Sequence, residues 1–166
     1  MWGRRSPNQP GSMIEEAKTH WLSQIKEYAS SDVMSIQEDK KVVDNIEDLM
    51  SWKIDFVVVK DKGKVIQGVV GRDQLNEIIT EKKLEARRGG SDIDISQMSF
   101  RDVLDSEGLR EYYVINEDAG KTDTPLWLQG LPAREVLIIK DKIVKAVVDR
   151  RWFRKWQNLL QFARSF

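Results

Sequence analysis

The stretch Val57-Val-Val-Lys-Asp-Lys62 returns as Leu137-Ile-Ile-Lys-Asp-Lys142, 80 positions further along the chain. Two other segments repeat in the same order at nearly the same distance: Ile36-Gln-Glu-Asp39 returns as Ile115-Asn-Glu-Asp118, and Val69-Val70 with Arg72 as Val147-Val148 with Arg150. Self-similarity at one spacing indicates a structural unit that is used more than once. We therefore predict a tandem repeat of two similar units.

The hydrophobic pattern of the first copy predicts the order of elements in the unit. A short β-prone run at 32–36 precedes apolar residues at helical spacing in 42–50. Two strand-length apolar runs then flank the turn Asp61-Lys-Gly63, and a second helical pattern ends at Gly89-Gly90. The unit is predicted to be β-α-β-β-α, and the fold class α/β (α+β) with two such units. In the second copy the first helix is expected on Leu126-Trp-Leu128.

The chain is expected to divide into five segments. They are a disordered or vector-derived arm at 1–12, an N-terminal helix at 13–30, a first unit at 31–90, a linker at 91–111 and a second unit at 112–166. Within the linker, the stretch from Ser91 to Ser99 is polar, and a short helix is expected within Phe100 to Leu109. The N-terminal helix is predicted to be amphipathic, so it needs an apolar partner surface.

The composition argues against several classes of protein. The 166 residues include 27 Lys plus Arg and 27 Asp plus Glu, for a net charge of zero, and no cysteine. Without thiols, no disulfide or thiolate zinc site can form. No apolar run approaches the roughly 18 residues that cross a bilayer, and we expect a cytoplasmic protein. A zero net charge argues against bulk binding to nucleic acid, which depends on an excess of Lys and Arg.

Sequence motifs typical of catalysis or metal binding are missing. The chain has no P-loop, no nucleophile elbow and no dinucleotide-binding glycine pattern. His20 is the only histidine, so it has no second imidazole with which to share a metal ion. Asp92 and Asp94 stand in the polar linker without further convergent ligands. We predict neither an enzyme nor a metal site.

The residues that follow each hairpin carry a resemblance to a known family. Gly68-Val-Val-Gly-Arg-Asp-Gln-Leu75 stands where cystathionine-β-synthase (CBS) domains have the motif G-x-x-T/S-x-x-D, and Ala146-Val-Val-Asp-Arg-Arg-Trp-Phe153 stands at the same place in the second copy. Over roughly residues 30 to 160 the chain resembles a tandem CBS pair, the Bateman module. The resemblance implies hairpins packed about a pseudo-twofold axis with two clefts. It also implies a regulatory role toward another protein, and we expect a homodimer.

The resemblance further implies a ligand class, because the clefts of such families bind adenosine-containing molecules such as AMP, ADP, ATP or S-adenosylmethionine. Neither copy has the full motif. In the first copy Gly71 replaces the Thr or Ser, and Gln74 replaces the ribose-binding carboxylate, which stands one residue earlier as Asp73. In the second copy the three motif positions hold Ala146, Asp149 and Trp152. The predicted ligand-binding residues are Ser35, Ile36, Asp55, Phe56, Gly68, Gly71, Arg72, Asp73 and Arg150.

Three functions stay open at this stage. The leading hypothesis is a regulatory sensor whose first cleft binds an adenosine-type ligand, with an adenine nucleotide as the expected small molecule. The second is a ligand-free scaffold with degenerate clefts, in which Arg72 and Asp73 form only a surface ion pair. The third is binding to a membrane surface or RNA through the basic run from Arg150 to Phe166. For this run we favour a structural role, a helix that closes the second copy's core against the N-terminal helix or a dimer mate.

Overall fold

The computed structural model of this protein describes residues 21–51, 53–89, 94–105, 109–118 and 130–164. The helices are α1 (Trp21–Lys26), α2 (Val42–Ser51), α3 (Arg72–Arg87), α4 (Phe100–Leu104) and α5 (Arg150–Arg164), and a 3-10 turn spans Ile95–Gln97. The strands are β1 (Ala29–Ser30), β2 (Val33–Gln37), β3 (Phe56–Lys60), β4 (Ile66–Gly71), β5 (Tyr112–Asn116), β6 (Glu135–Lys140) and β7 (Ile143–Val148). Among the described residues, no helix has the length and apolar character that a bilayer crossing requires.

The chain forms two compact units. The central unit spans Ser30–Tyr112, and the terminal unit combines the described residues before Ser30 with those after Tyr112. The two sheets have the strand orders β2-β3-β4 and β1-β7-β6-β5. The predicted α/β class is confirmed, and the central unit shows the predicted order β-α-β-β-α. The helix predicted at Leu126-Trp-Leu128 lies outside the described residues.

The sheet of the central unit is buried on both faces. β2 runs parallel to β3, and β3 pairs antiparallel with β4. Val57 and Val59 face the core, which α2, α3 and α4 also line. Val58 and Val69, on the other face, are also fully buried. Burial of both faces explains why β3 is a continuous apolar run rather than an alternating one.

Helices α1 and α5 close the core of the terminal unit. Phe153 and Trp156 of α5 have no exposed surface and lie in one hydrophobic cluster with Leu22 and Ile25 of α1. The rings of Phe153 and Trp156 stack with centroids 5.8 Å apart. The structural role predicted for the basic C-terminal run is therefore confirmed: its aromatic stripe packs inside its own unit against the N-terminal helix.

The short helix predicted within Phe100 to Leu109 is confirmed as α4 (Phe100–Leu104), which follows the capping residue Ser99. The structure differs from the expectation of a linker at 91–111 in the packing of its described part. Its buried apolar residues belong to the core of the central unit: Met98, Phe100, Val103, Leu104 and Leu109. The ion pair of Arg101 with Glu38, at 3.0 Å, connects the start of this helix to the residue after β2. Because polar residues dominate the composition of this stretch, its composition does not indicate that the apolar side chains are buried.

Gly68 on β4 is required by this packing. A Cβ atom at Gly68 would lie 2.5 Å from the carbonyl oxygen of Leu109 and 2.7 Å from Leu104 Cδ2. Distances this short force the backbone to move. We predict that Gly68→Ala lowers the free energy of unfolding by about 2 kcal/mol, measured by urea denaturation.

Gly130→Ala is the matched control, since no atom of the described residues lies within 4 Å of a Cβ at Gly130. A similar loss in both variants would contradict the packing role of Gly68.

Candidate functional site

The strand register separates the predicted site residues onto two faces of the central sheet. Ser35 is paired with Val58, and Phe56 with Gly71, so Ser35, Phe56 and Gly71 share one face. Ile36 and Gly68 point to the opposite face, where the helices pack. This placement corrects the expectation for Ile36 and Gly68, since both are core positions. The remaining residues of the first copy lie at or near the end of the sheet where β3 begins, β4 ends and α3 starts.

Asp55 and Arg72 meet at this end of the sheet. Asp55 immediately precedes β3, and Arg72 is the first residue of α3. The Arg72 backbone N–H donates to the Asp55 carbonyl oxygen at 2.9 Å, which fixes the helix start beside the strand. The side chains are held less tightly, with Arg72 Nη2 3.7 Å from Asp55 Oδ1. At this distance the two side chains form an ion pair but no hydrogen bond. The Arg72 side chain is 35% exposed and that of Asp55 is 41% exposed. The Ser30 hydroxyl donates to the other carboxylate oxygen, Oδ2, at 2.6 Å.

Gln74 stabilises the start of α3. Its side-chain oxygen accepts the Gly71 backbone N–H at 3.0 Å, and Gly71 adopts an extended conformation before the helix. The residue at the place of the family's ribose-binding carboxylate is therefore engaged as a helix cap. Asp73 and Ser35 are solvent exposed. The ring of Phe56 is buried and lies 3.5 Å from the position of a Cβ atom on Gly71.

The terminal unit holds its arginine much more firmly. Glu135 is 1% exposed, and its carboxylate accepts four hydrogen bonds from Arg150. Oε2 accepts the backbone N–H at 3.0 Å and Nε at 2.9 Å, and Oε1 accepts Nε at 3.0 Å and Nη2 at 2.7 Å. Such charge-assisted, forked contacts are among the strongest polar contacts in proteins. Arg150, predicted to bind ligand, is thus engaged by a residue that the sequence analysis did not select.

Two of the three motif positions of the terminal unit, Asp149 and Trp152, also have structural partners. Asp149 Oδ1 accepts the Arg151 backbone N–H at 2.7 Å and so caps α5. The Trp152 ring stacks on Tyr28 with centroids 5.2 Å apart, and Lys155 Nζ lies 4.1 Å from the Trp152 ring centroid. Asp149 and Trp152, which stand at the motif's hydroxyl and carboxylate positions, therefore contact residues of their own unit.

The two metal candidates of the sequence do not form a described site. The Asp94 carboxylate accepts the Ser96 backbone N–H at 2.9 Å and caps the 3-10 turn. Hydrogen bonds from Ser96 lower the pKa of Asp94. Asp92 and His20 lie outside the described residues. Within the part of the chain that the structure describes, no three His, Asp or Glu side chains come together as metal ligands.

Solved structures of CBS-domain proteins are similar to this chain. A conserved CBS-domain protein from Thermoplasma acidophilum has 11% identity, and the match covers 85% of this chain and 75% of that chain with a TM-score of 0.48. One from Agrobacterium tumefaciens has 15% identity, with 82% and 92% covered and a TM-score of 0.47. One from Kribbella flavida has 16% identity, with 79% and 94% covered and a TM-score of 0.46.

No family model and no curated protein sequence matches the chain. At 11% to 16% identity and TM-scores of 0.46 to 0.48, the similarity to these structures carries no argument about ligand or partner.

The two arginine contacts should differ in their effect on stability. We predict that Glu135→Gln lowers the free energy of unfolding by about 2 kcal/mol, because it removes the buried charge that Arg150 contacts. Asp55→Asn should lower it by less than about 1 kcal/mol, because that pair is open to water. Urea denaturation of both variants measures the difference. A larger loss for Asp55→Asn than for Glu135→Gln would contradict this description.

Proposed function

We propose that this protein is a regulatory module of two CBS-like units, a binding protein rather than an enzyme, that acts in the cytoplasm. Its ligand is an adenosine-containing molecule bound by the central unit at the start of α3. The residues proposed to line the site are Ser35, Asp55, Phe56, Gly71, Arg72 and Asp73. The observation that carries this proposal is the loose Asp55–Arg72 pair: its guanidinium is partly exposed, has one contact to Asp55 at 3.7 Å, and stands at the first turn of a 16-residue helix.

The groups at this place suit the parts of such a ligand. The Arg72 guanidinium and the amino end of α3 both favour a negatively charged group. The Asp55 and Asp73 carboxylates can accept hydrogen bonds from a ribose diol. The sheet face with Ser35 and Phe56 offers a small polar group and a ring edge beside the base. Each element of the ligand therefore meets a group of matching chemistry.

The charges at the site also rank the adenosine compounds. One guanidinium stands with two carboxylates, so the side chains of the site sum to one negative charge. A polyphosphate adds several negative charges to this excess, whereas AMP adds about two and S-adenosylmethionine carries a sulfonium cation. We propose that S-adenosylmethionine and AMP bind more tightly than ATP.

Thermal unfolding with S-adenosylmethionine, AMP and ATP tests the proposal. A ligand at 100 times its dissociation constant should add about 2.7 kcal/mol to the free energy of unfolding. The double variant Arg72→Ala with Asp73→Ala should lose this gain, whereas Lys83→Ala, an exposed position in the C-terminal half of α3, should retain it. No response to any adenosine compound, or an unchanged response in the double variant, would contradict a site at α3.

A ligand-free scaffold is the second candidate. It is favoured by the terminal unit, where Arg150, Asp149 and Trp152 all have partners within the unit. In that case none of the three compounds changes the free energy of unfolding of the wild-type protein. Association with a membrane or RNA through α5 has less support, since two of the aromatic side chains of that helix, Phe153 and Trp156, are buried in the core.

We also propose that the protein is a homodimer in which α5 of one copy packs against α2 of the other. α5 carries five basic and no acidic residues, and it exposes Trp152 and Leu159, each 40% exposed. α2 carries three acidic and no basic residues, and it exposes Val43, which is 38% exposed. The two surfaces thus have opposite charge around apolar side chains, which favours association.

Charge reversal tests the proposed dimer. Arg154→Glu with Lys155→Glu changes one surface, and Asp44→Lys with Glu47→Lys changes the other. Each double variant alone should be monomeric in sedimentation velocity, and an equimolar mixture should form a dimer, because opposite charges face each other again in both contacts. Lys83→Glu, an exposed change on α3, should remain a dimer. A monomeric wild type, or a mixture that stays monomeric, would contradict the proposal.

A further inference from the structure

The Glu135 carboxylate lies in the arrangement that proteins use to bind a foreign anion. It is 1% exposed, and it is contacted by the first backbone N–H of α5 together with the Nε and Nη2 groups of Arg150. A helix start with a forked guanidinium is a strong site for a carboxylate or phosphate. The anion in this case comes from β6 of the same chain.

The corresponding place in the central unit holds no strand carboxylate. Val57 pairs with Val70 as Val136 pairs with Val148, and Val57 and Val136 both face the core of their unit. The residue before each valine therefore occupies the same place, and Glu135 corresponds to Phe56. The arginines at the two helix starts correspond as well, so each unit has the guanidinium. Of the two, only Arg150 is hydrogen-bonded to a buried carboxylate, since Arg72 has the partly exposed Asp55 at 3.7 Å.

We propose that Glu135 is a built-in ligand of the terminal unit. Its carboxylate occupies an anion site formed by Arg150 and the start of α5 and thereby excludes external carboxylates and phosphates from it. A tethered carboxylate outcompetes free anions at millimolar concentration because its effective concentration at the site is high. The proposal deepens the proposed function, on which it rests for the claim that the central unit binds a ligand, by explaining why only that unit takes one.

Removal of the Glu135 side chain should therefore create an anion site. Glu135→Ala shortens the side chain to a methyl group and leaves Arg150 and the helix start in place. Sodium formate is the probe, with sodium chloride at equal ionic strength as the reference, and urea unfolding is the readout. If formate binds with a dissociation constant near 10 mM, 100 mM formate should raise the folding equilibrium constant about 11-fold over chloride.

Three further proteins make the result specific. Wild type should show no gain from formate over chloride, because Glu135 holds the site. Glu135→Ala with Arg150→Met should also show none, because the guanidinium is gone. Glu135→Ser is the second test variant if the alanine variant does not fold: its short side chain also leaves the place of the carboxylate open, so formate should raise the folding constant by a similar factor.

The inference is overturned if neither Glu135→Ala nor Glu135→Ser gains from formate, or if the gain persists when Arg150 is replaced by Met. This result is separate from the test of the proposed function, which reads the response of wild type to adenosine compounds. If adenosine compounds do not stabilise wild type but formate stabilises Glu135→Ala, the sensor function is contradicted and the built-in ligand is supported.

Discussion

In both units, the arginine at the start of the helix that follows the hairpin must be held beside the strand that begins the hairpin. The Arg150 backbone and guanidinium meet the buried carboxylate of Glu135, and the Arg72 backbone N–H meets the carbonyl oxygen of Asp55. Each contact sets where the helix leaves the sheet and so which of its residues reach the core. The apolar residues of α3 and α5 can pack only because this connection has a defined geometry.

The two versions of this contact have different consequences. A carboxylate that is removed from water is stable only with a complete set of donors, and Arg150 supplies that set to Glu135. The Asp55–Arg72 pair is open to water, so it contributes little to stability and its guanidinium can meet other anions. A tightly built contact is thus a structural device, whereas the loosely built one is the candidate for binding.

The repeat was visible in the sequence, but its strands were aligned one residue out of place. Val57-Val-Val-Lys-Asp-Lys62 and Leu137-Ile-Ile-Lys-Asp-Lys142 match best at 80 positions, whereas the paired strands correspond at 79. The register shifts at the corresponding place in both hairpins, after Val59 and after Ile138, so the difference lies in the turn: five residues separate the paired Lys60 and Ile66, and two separate the paired Lys140 and Ile143. Because side chains alternate, a shift of one residue exchanges the two faces of a strand. The sequence match therefore aligns Glu135 with Asp55 rather than with Phe56. The available signal for Glu135 is that a Glu stands directly before a buried apolar run.

The sequence by itself determined the tandem repeat, the order of strands and helices in the central unit, and the packing role of α5, because these follow from spacing and periodicity. Only the tertiary structure decided which face each strand residue takes, that Ile36 and Gly68 belong to the core, that part of the 91–111 stretch packs into the central unit, and that Arg150 is bound by Glu135. These depend on which side chains meet across strands and helices, and the linear order of residues carries no direct record of such contacts.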